Sequence, residues 1–263
     1  MSYQTLSFEI RDNVAWITLD RPAAMNALNA QMSRELFDVA NRCGSDRSVR
    51  AAVLAGAGDR AFCAGGDVAD FAKHADTVDL LIKKMTGHLH LAVSRFAWMR
   101  APLIAAVNGV AAGAGLSLVA FCDLAIAADS AKFTSAYTKI GFTPDGSSSY
   151  FLSRILGPRR TLELYLTNRV LSAQEALDWG LVNRVVPTAT LMEEVGRLAT
   201  ELANGPTRAF GGVKKLIQMA PNDTLESQME RETRTIVEMS TSVDGREGVR
   251  AFVEKRKPKF SGD

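Results

Sequence analysis

Two glycine-rich runs carry the clearest chemical signal in this sequence. Residues 61–67 read AFCAGGD, and residues 109–118 read GVAAGAGLSL. In each, small residues let a bound group approach the main chain where a helix is predicted to begin, and the first N–H groups of a helix lack internal acceptors. Such an end binds anions, and two of them facing one another would hold an oxyanion as it forms. Other glycine-loop chemistries fail on spacing. Gly113-Ala114-Gly115 opens a GxGxxG that breaks at Leu118, and no GK[ST] follows either run. Tight packing of strand on helix would also call for these glycines, and spacing alone leaves both uses open.

Other chemistries are poorly supplied. The histidines form no HxxxH pair, and His88 and His90, two apart, point to different sides of a helix, so no metal site is expected. Cys43, Cys63 and Cys122 make no CxxC and cannot build a disulfide framework, which fits a reducing compartment. With 31 basic against 29 acidic side chains, the formal charge of +2 offers no dense basic face, so no nucleic-acid partner is expected. A hydrophobic share of 47% with 23% charged residues excludes a disordered chain. No apolar run approaches the roughly 18 residues of a membrane span, and MSYQTLSFEIRD lacks a secretory pattern; the expectation is a cytoplasmic protein without membrane contact. Asp145 lies in Pro-Asp-Gly, which by spacing alone is a turn.

The elements that would position these runs alternate. Val14 to Asp20 reads as a strand entering Arg21-Pro22. Asn29 can cap a helix with the stripe Met32, Leu36, Val39, Cys43, which Gly44 is expected to end. Val49 to Ala55, Leu103 to Val107, Leu124 to Ala128 and Leu181 to Val186 are further strands. Leu81, Met85, Leu89, Ala92 and Phe96 mark a longer helix. Strand, glycine-rich loop and helix thus recur, which predicts an α/β fold of stacked repeats. Ser172 and Glu175 form a capping box for a short helix closed by Gly180. From Leu191 onward the pattern is helical only, with Leu191, Val195, Leu198 and Leu202 on one face. The expected division is a core over residues 1–204 and a helical region over 205–263, hinged at Gly205-Pro206.

Five segments together are specific. AFCAGGD (61–67), AAVNGVAAGAGLSL (105–118), CDLAIAADSAKF (122–133), LSAQEALDWGLVNRVV (171–186) and EGVRAFVEKRKPKF (247–260) closely resemble the enoyl-CoA hydratase/isomerase (crotonase) superfamily, in order and along essentially the whole chain. The resemblance implies a crotonase-like spiral of ββα repeats with a C-terminal helical trimerisation region, forming a homotrimer or dimer of trimers. It further implies an acyl-CoA thioester substrate, no permanently bound cofactor, coenzyme A being part of that substrate, and an oxyanion hole of two main-chain N–H groups. The matching positions are Ala64 and Ala114. Proton removal beside a thioester carbonyl places negative charge on its oxygen, which two fixed donors in a dry pocket stabilise.

The sequence departs from the hydratase pattern, in which two glutamates hold water. Ser117 and Tyr137 stand at those positions, and a tyrosine with pKa near about 10 is a poor base at neutral pH. IGFTPDGSSSYFLSRILG, with YTKIG overlapping its start, resembles instead the isomerase branch acting on enoyl-CoA or 1,2-epoxyphenylacetyl-CoA thioesters, where the aspartate matched by Asp145 is the acid/base. His90 with Asp145 also resembles the pair of 4-chlorobenzoyl-CoA dehalogenase, with Tyr137 where that enzyme has a supporting tryptophan. Ser117, His90 and Asp145 could be arranged as a triad, but no GxSxG supports one. Carrier contacts implied by the resemblance are Ala24 and Met25 in RPAAMNAL (21–28), Ala64, Gly65, Gly66 and Asp67 in the first glycine run, and Phe252 and Lys255 in the tail. The reading is an isomerase; a hydratase, a dehalogenase-like hydrolase and a non-catalytic RNA-binding or scaffold protein are its competitors.

Overall fold

The computed structural model describes residues 3–263. The chain opens with an antiparallel hairpin, β1 (Leu6–Arg11) and β2 (Val14–Leu19). Asp12 and Asn13 between them both take positive φ, the two-residue turn whose twist matches paired strands. Strand β1 is an addition to the sequence reading. Helix α1 (Ala30–Ser45) begins where Asn29 accepts the Met32 N–H at 2.9 Å and buries Met32, Leu36, Val39 and Cys43, as its spacing predicts. Gly44 does not end it; the chain turns extended at Asp46.

Three ββα units follow. The first runs β3 (Ala51–Gly56), β4 (Ala61–Cys63), then α2 (Val68–Lys73) and α3 (Val78–Trp98). Next come β5 (Leu103–Val107), β6 (Val110–Ala112) and α4 (Ala114–Phe121). The third is β7 (Leu124–Ala128), β8 (Lys132–Thr134), a short 3-10 turn at Tyr137–Ile140 and α5 (Ser148–Ile155). Helix α6 (Gly157–Thr167), strand β9 (Leu171–Ser172), α7 (Ala173–Asp178) and β10 (Arg184–Val186) close the spiral. The capping box at Ser172 and Glu175 is present. Residues 181–183, expected as strand, precede β10 instead: Leu181 and Val182 are buried in the core, and Asn183 accepts the Ala125 N–H through its side chain.

The first strand of each unit joins one sheet and the second joins another. The large sheet is ordered β1-β2-β3-β5-β7-β10 and is parallel from β2 onward; the small sheet is β4-β6-β8-β9. Both glycine runs, read from sequence as loops, therefore contain a three-residue strand. Alternate residues of the large sheet serve two cores. Ile17, Leu54, Ala105 and Ala127 face α1 and α3, while Val53, Ile104 and Ile126 face α8 (Leu191–Ala203) through Leu191, Val195, Ala199 and Ala203. A sheet covered on both faces explains why its strands read as continuous apolar runs.

Helices α9 (Thr207–Met219), α10 (Leu225–Ser240) and α11 (Val243–Val253) complete the chain. Lys214 of α9 reaches back to Asp123 at 2.7 Å and donates to the carbonyls of Phe96 and Ala101, fixing α9 beside α3. Their outer faces keep Ile217, Ile236, Val249 and Phe252 exposed. No described helix is long and apolar enough to cross a membrane.

Candidate active site

Strands β4 and β6 are parallel neighbours, paired Ala61 with Val110 and Cys63 with Ala111. Their C-terminal ends therefore deliver Ala64 and Ala114 to one place. Close approach of the two runs demands glycine at 115, where a Cβ would be driven into the Cys63 carbonyl. Ala114 is the first residue of α4, all eight residues of which are buried. As such it has no helical acceptor for its N–H, and it makes no other bond among the described residues. A donor at the end of a desolvated helix dipole is suited to receive negative charge.

Ala64 is placed differently. Its N–H donates to the Met25 carbonyl at 3.0 Å, so the first-loop donor already has an acceptor within the chain. An oxyanion there would share that N–H in a three-centre bond. Met25 and Asn26 both adopt left-handed backbone, with φ of 51° and 55°. Asn26, fully buried, holds this turn: its Oδ1 accepts the Arg21 N–H at 3.0 Å, and its Nδ2 donates to Ala57 and Ala61 at 2.9 and 2.8 Å. The sequence reading missed Asn26, although asparagine is the residue that best tolerates left-handed backbone. Asn26→Ala is expected to lower unfolding stability by about 3 kcal/mol, because it strands one buried backbone group, at Ala61, and two half-buried ones, at Arg21 and Ala57; the urea midpoint measures this, and an unchanged midpoint would remove Asn26 as the anchor.

Asp67, expected as a carrier contact, is already engaged. Its Oδ2 pairs with Arg21 at 2.8 Å, and its Oδ1 accepts the Asp70 N–H at the start of α2. Burial pushes its pKa up, but Arg21 and the Asp70 N–H outweigh that and hold it below the usual carboxylate range. The carboxylate thus locks the loop, with one partner on each oxygen.

A cavity of about 590 Å³ opens over the two runs, and its lining includes Ala64, Gly65, Gly66, Ala114, Tyr137 and Asp145. Apolar side chains such as Phe71, Met85 and Leu89 supply most of the remaining wall. Asp145 is the one carboxylate among the lining residues. Tyr137 donates its hydroxyl proton to Asp145 Oδ1 at 2.5 Å. Burial, then the carboxylate itself, push the Tyr137 pKa far up, so the phenol stays protonated and acts as a donor. Ser117 Oγ lies 3.1 Å from the Tyr137 hydroxyl and donates to the Asp145 carbonyl at 3.0 Å. The two positions that hold glutamates in the hydratase pattern therefore carry the hydroxyls that fasten Asp145.

The turn beyond Asp145 needs Gly146, whose φ is +60° and whose absent Cβ would press on Ser117 at 3.0 Å. The Gly146 N–H donates to His90 Nε2 at 3.3 Å. A neutral imidazole has one acceptor nitrogen, so this bond places the ring proton on Nδ1. His90 is exposed and stands beside the turn, off the cavity wall. Ala24, Met25, Phe252 and Lys255 are likewise not on the wall; Phe252 is 85% exposed at the end of α11.

A "Probable enoyl-CoA hydratase" of Rhodobacter capsulatus is 40% identical over 262 residues, covering 100% of both chains. The 1,2-epoxyphenylacetyl-CoA isomerase of Escherichia coli is 37% identical over 257 residues, 96% of this chain and 97% of that one. The crystal structure of an enoyl-CoA hydratase from Polaromonas sp. superposes with a TM-score of 0.92 at 31% identity, covering 97% and 99% of the two chains. The family model described as enoyl-CoA hydratase/isomerase matches residues 9–263. With the ββα spiral and the paired loop ends in place, the chain belongs to the enoyl-CoA hydratase/isomerase family, the crotonase superfamily.

Proposed function

We propose that this family member is an enoyl-CoA isomerase with Asp145 as its single acid/base. One observation carries the reading: Asp145 is the sole carboxylate among the residues lining the cavity that Ala64 and Ala114 also line, while both positions matching the hydratase glutamates are hydroxyl residues. Tyr137 occupies Oδ1, which leaves Oδ2 without a hydrogen-bond donor among the described residues. In the proposed step Oδ2 takes a proton from C2 of a 3-enoyl-CoA. The C–H electron pair forms the C2–C1 double bond as the thioester C=O pair moves onto oxygen, giving a dienolate held by the Ala114 N–H and, through a shared bond, the Ala64 N–H. Collapse of the oxyanion restores the C=O, the double bond moves to C2–C3, and C4 recovers the same proton. Ring-epoxide isomerisation of a phenylacetyl-CoA derivative would use the same parts.

Carrier binding by Ala24, Met25, Gly65 and Gly66 belongs to this proposal. So does a homotrimer or dimer of trimers, in which Phe252 and Lys255 would meet the acyl-CoA of a neighbouring copy. The dehalogenase-like reading needs His90 to accept a proton from water, and the lone pair available for that is already directed at the Gly146 N–H. Incubation with crotonyl-CoA, a 3-enoyl-CoA and 4-chlorobenzoyl-CoA separates the readings. The expected result is conversion of the 3-enoyl-CoA to the conjugated 2-enoyl thioester, followed by ultraviolet absorbance. Hydration of crotonyl-CoA as the fastest reaction, or chloride release, would overturn it.

A further inference from the structure

Tyr165, on α6, is buried and lies outside the cavity wall. Its hydroxyl donates to Ser148 Oγ at 2.9 Å, and Ser148 Oγ donates to the Asp145 main-chain carbonyl at 2.9 Å. The direction of this chain is fixed by chemistry. A carbonyl only accepts, so Ser148 spends its one proton on Asp145 and must accept from Tyr165. Burial raises the Tyr165 pKa, which keeps its hydroxyl a neutral donor. The other end of the same residue is tied to the opposite arm of the site: the Tyr165 carbonyl accepts from Thr138 Oγ1 at 2.7 Å, and Thr138 follows Tyr137 in the chain. Asn168, at the end of α6, adds bonds to Thr138 and to Ser135.

We propose that Tyr165 is a positioning residue that sets Asp145 against Tyr137 and the cavity, gripping the Asp145 arm through Ser148 with its hydroxyl and the Tyr137 arm through Thr138 with its carbonyl. The proposal rests on the acid/base reading of Asp145. That carboxylate sits on a turn between exposed residues 141–143 and the start of α5, where the turn itself supplies little rigidity. Three donors converge on the Asp145 carbonyl: the Ser148 N–H at 3.1 Å, Ser148 Oγ and Ser117 Oγ. Losing the Tyr165 hydroxyl frees Ser148 Oγ to rotate away and lets the carboxylate drift from its reacting position.

Steady-state kinetics with a 3-enoyl-CoA test this on Tyr165→Phe, Ser148→Ala, the double variant and Asp145→Asn, with thermal melting of each. Tyr165→Phe keeps the ring and its packing. Each single variant is expected to lose about tenfold in kcat, with KM within about twofold, since displacement by about 1 Å can cost up to 10² in rate. The double variant is expected to be no slower than the worse single one, because both substitutions cut one chain. A wild-type kcat in either single variant, or multiplied losses in the double variant, overturns the proposal while Asp145→Asn stays inactive. A wild-type rate in Asp145→Asn overturns the acid/base reading, and this proposal with it. Should Tyr165→Phe fail to fold, Ser148→Ala decides by the same criterion.

Discussion

Asparagine at position 145 is expected to reduce turnover of a 3-enoyl-CoA by at least about 10², the lower end of what a positioned acid or base contributes, while acyl-CoA affinity changes little. Asparagine is the sharper test of the two obvious substitutions. Its carbonyl oxygen still accepts from the Tyr137 hydroxyl, so the pair bonded at 2.5 Å keeps its shape and only the ability to carry a proton is lost. Alanine removes the acceptor as well. The Tyr137 hydroxyl would then turn to Ser117 Oγ, 3.1 Å away, and the site would repack. Equal losses in both variants therefore assign the effect to proton transfer. A much larger loss in alanine would assign it to the geometry of the turn. Affinity is expected to be insulated from either change, because the proposed carrier contacts are main-chain groups of the glycine runs that contain β4 and β6, which neither substitution alters. Retention of the wild-type rate by Asp145→Asn would eliminate the isomerase mechanism and leave the family's hydratase chemistry, by some other route, as the stronger reading.

What the sequence made legible was local or periodic. The Asn29 cap, the stripe of α1, the capping box of α7 and the alternation of buried strands with helices each depend on residues a few places apart. Strands β4 and β6 were hidden in glycine runs because three residues become strand only through a partner about fifty positions away. The same distance concealed the use of Asp67, whose fate is decided by Arg21, 46 residues earlier. Acidic side chains look alike in sequence; Asp145 faces a cavity and Asp67 a guanidinium for reasons that only folding supplies. Asp145 itself read as a turn, and a turn it is. What sequence spacing could not show is that Tyr137, Ser117, Ser148 and, through it, Tyr165 converge on that turn from three separate helices and a 3-10 segment.

The amide of Ala114 offers the complementary test, since it is a donor that no side-chain truncation can remove. Proline at 114 is expected to leave a folded chain whose kcat/KM has fallen by about 10²–10³, the range for deleting one oxyanion donor. Folding should survive for a specific reason. Ala114 is the first residue of α4, where proline's fixed φ suits the helix and its missing N–H breaks no helical bond. The preceding residue is Gly113 at φ 52° and ψ −124°, the mirror image of an extended conformation, which a glycine can hold before proline without a Cβ clash. Proline also places its ring where the N–H pointed, so some loss will come from weaker acyl-CoA binding. Ala114→Gly, which keeps the N–H and empties the Cβ position, should stay within about threefold of wild type if donor loss dominates. The equivalent change at Ala64 would be less informative, because that N–H is also bonded to the Met25 carbonyl and its removal would disturb the turn that Asn26 anchors. Unaltered melting together with wild-type kcat/KM in Ala114→Pro would mean that negative charge on the thioester oxygen is stabilised elsewhere, and the convergence of β4 and β6 would then be a packing device alone.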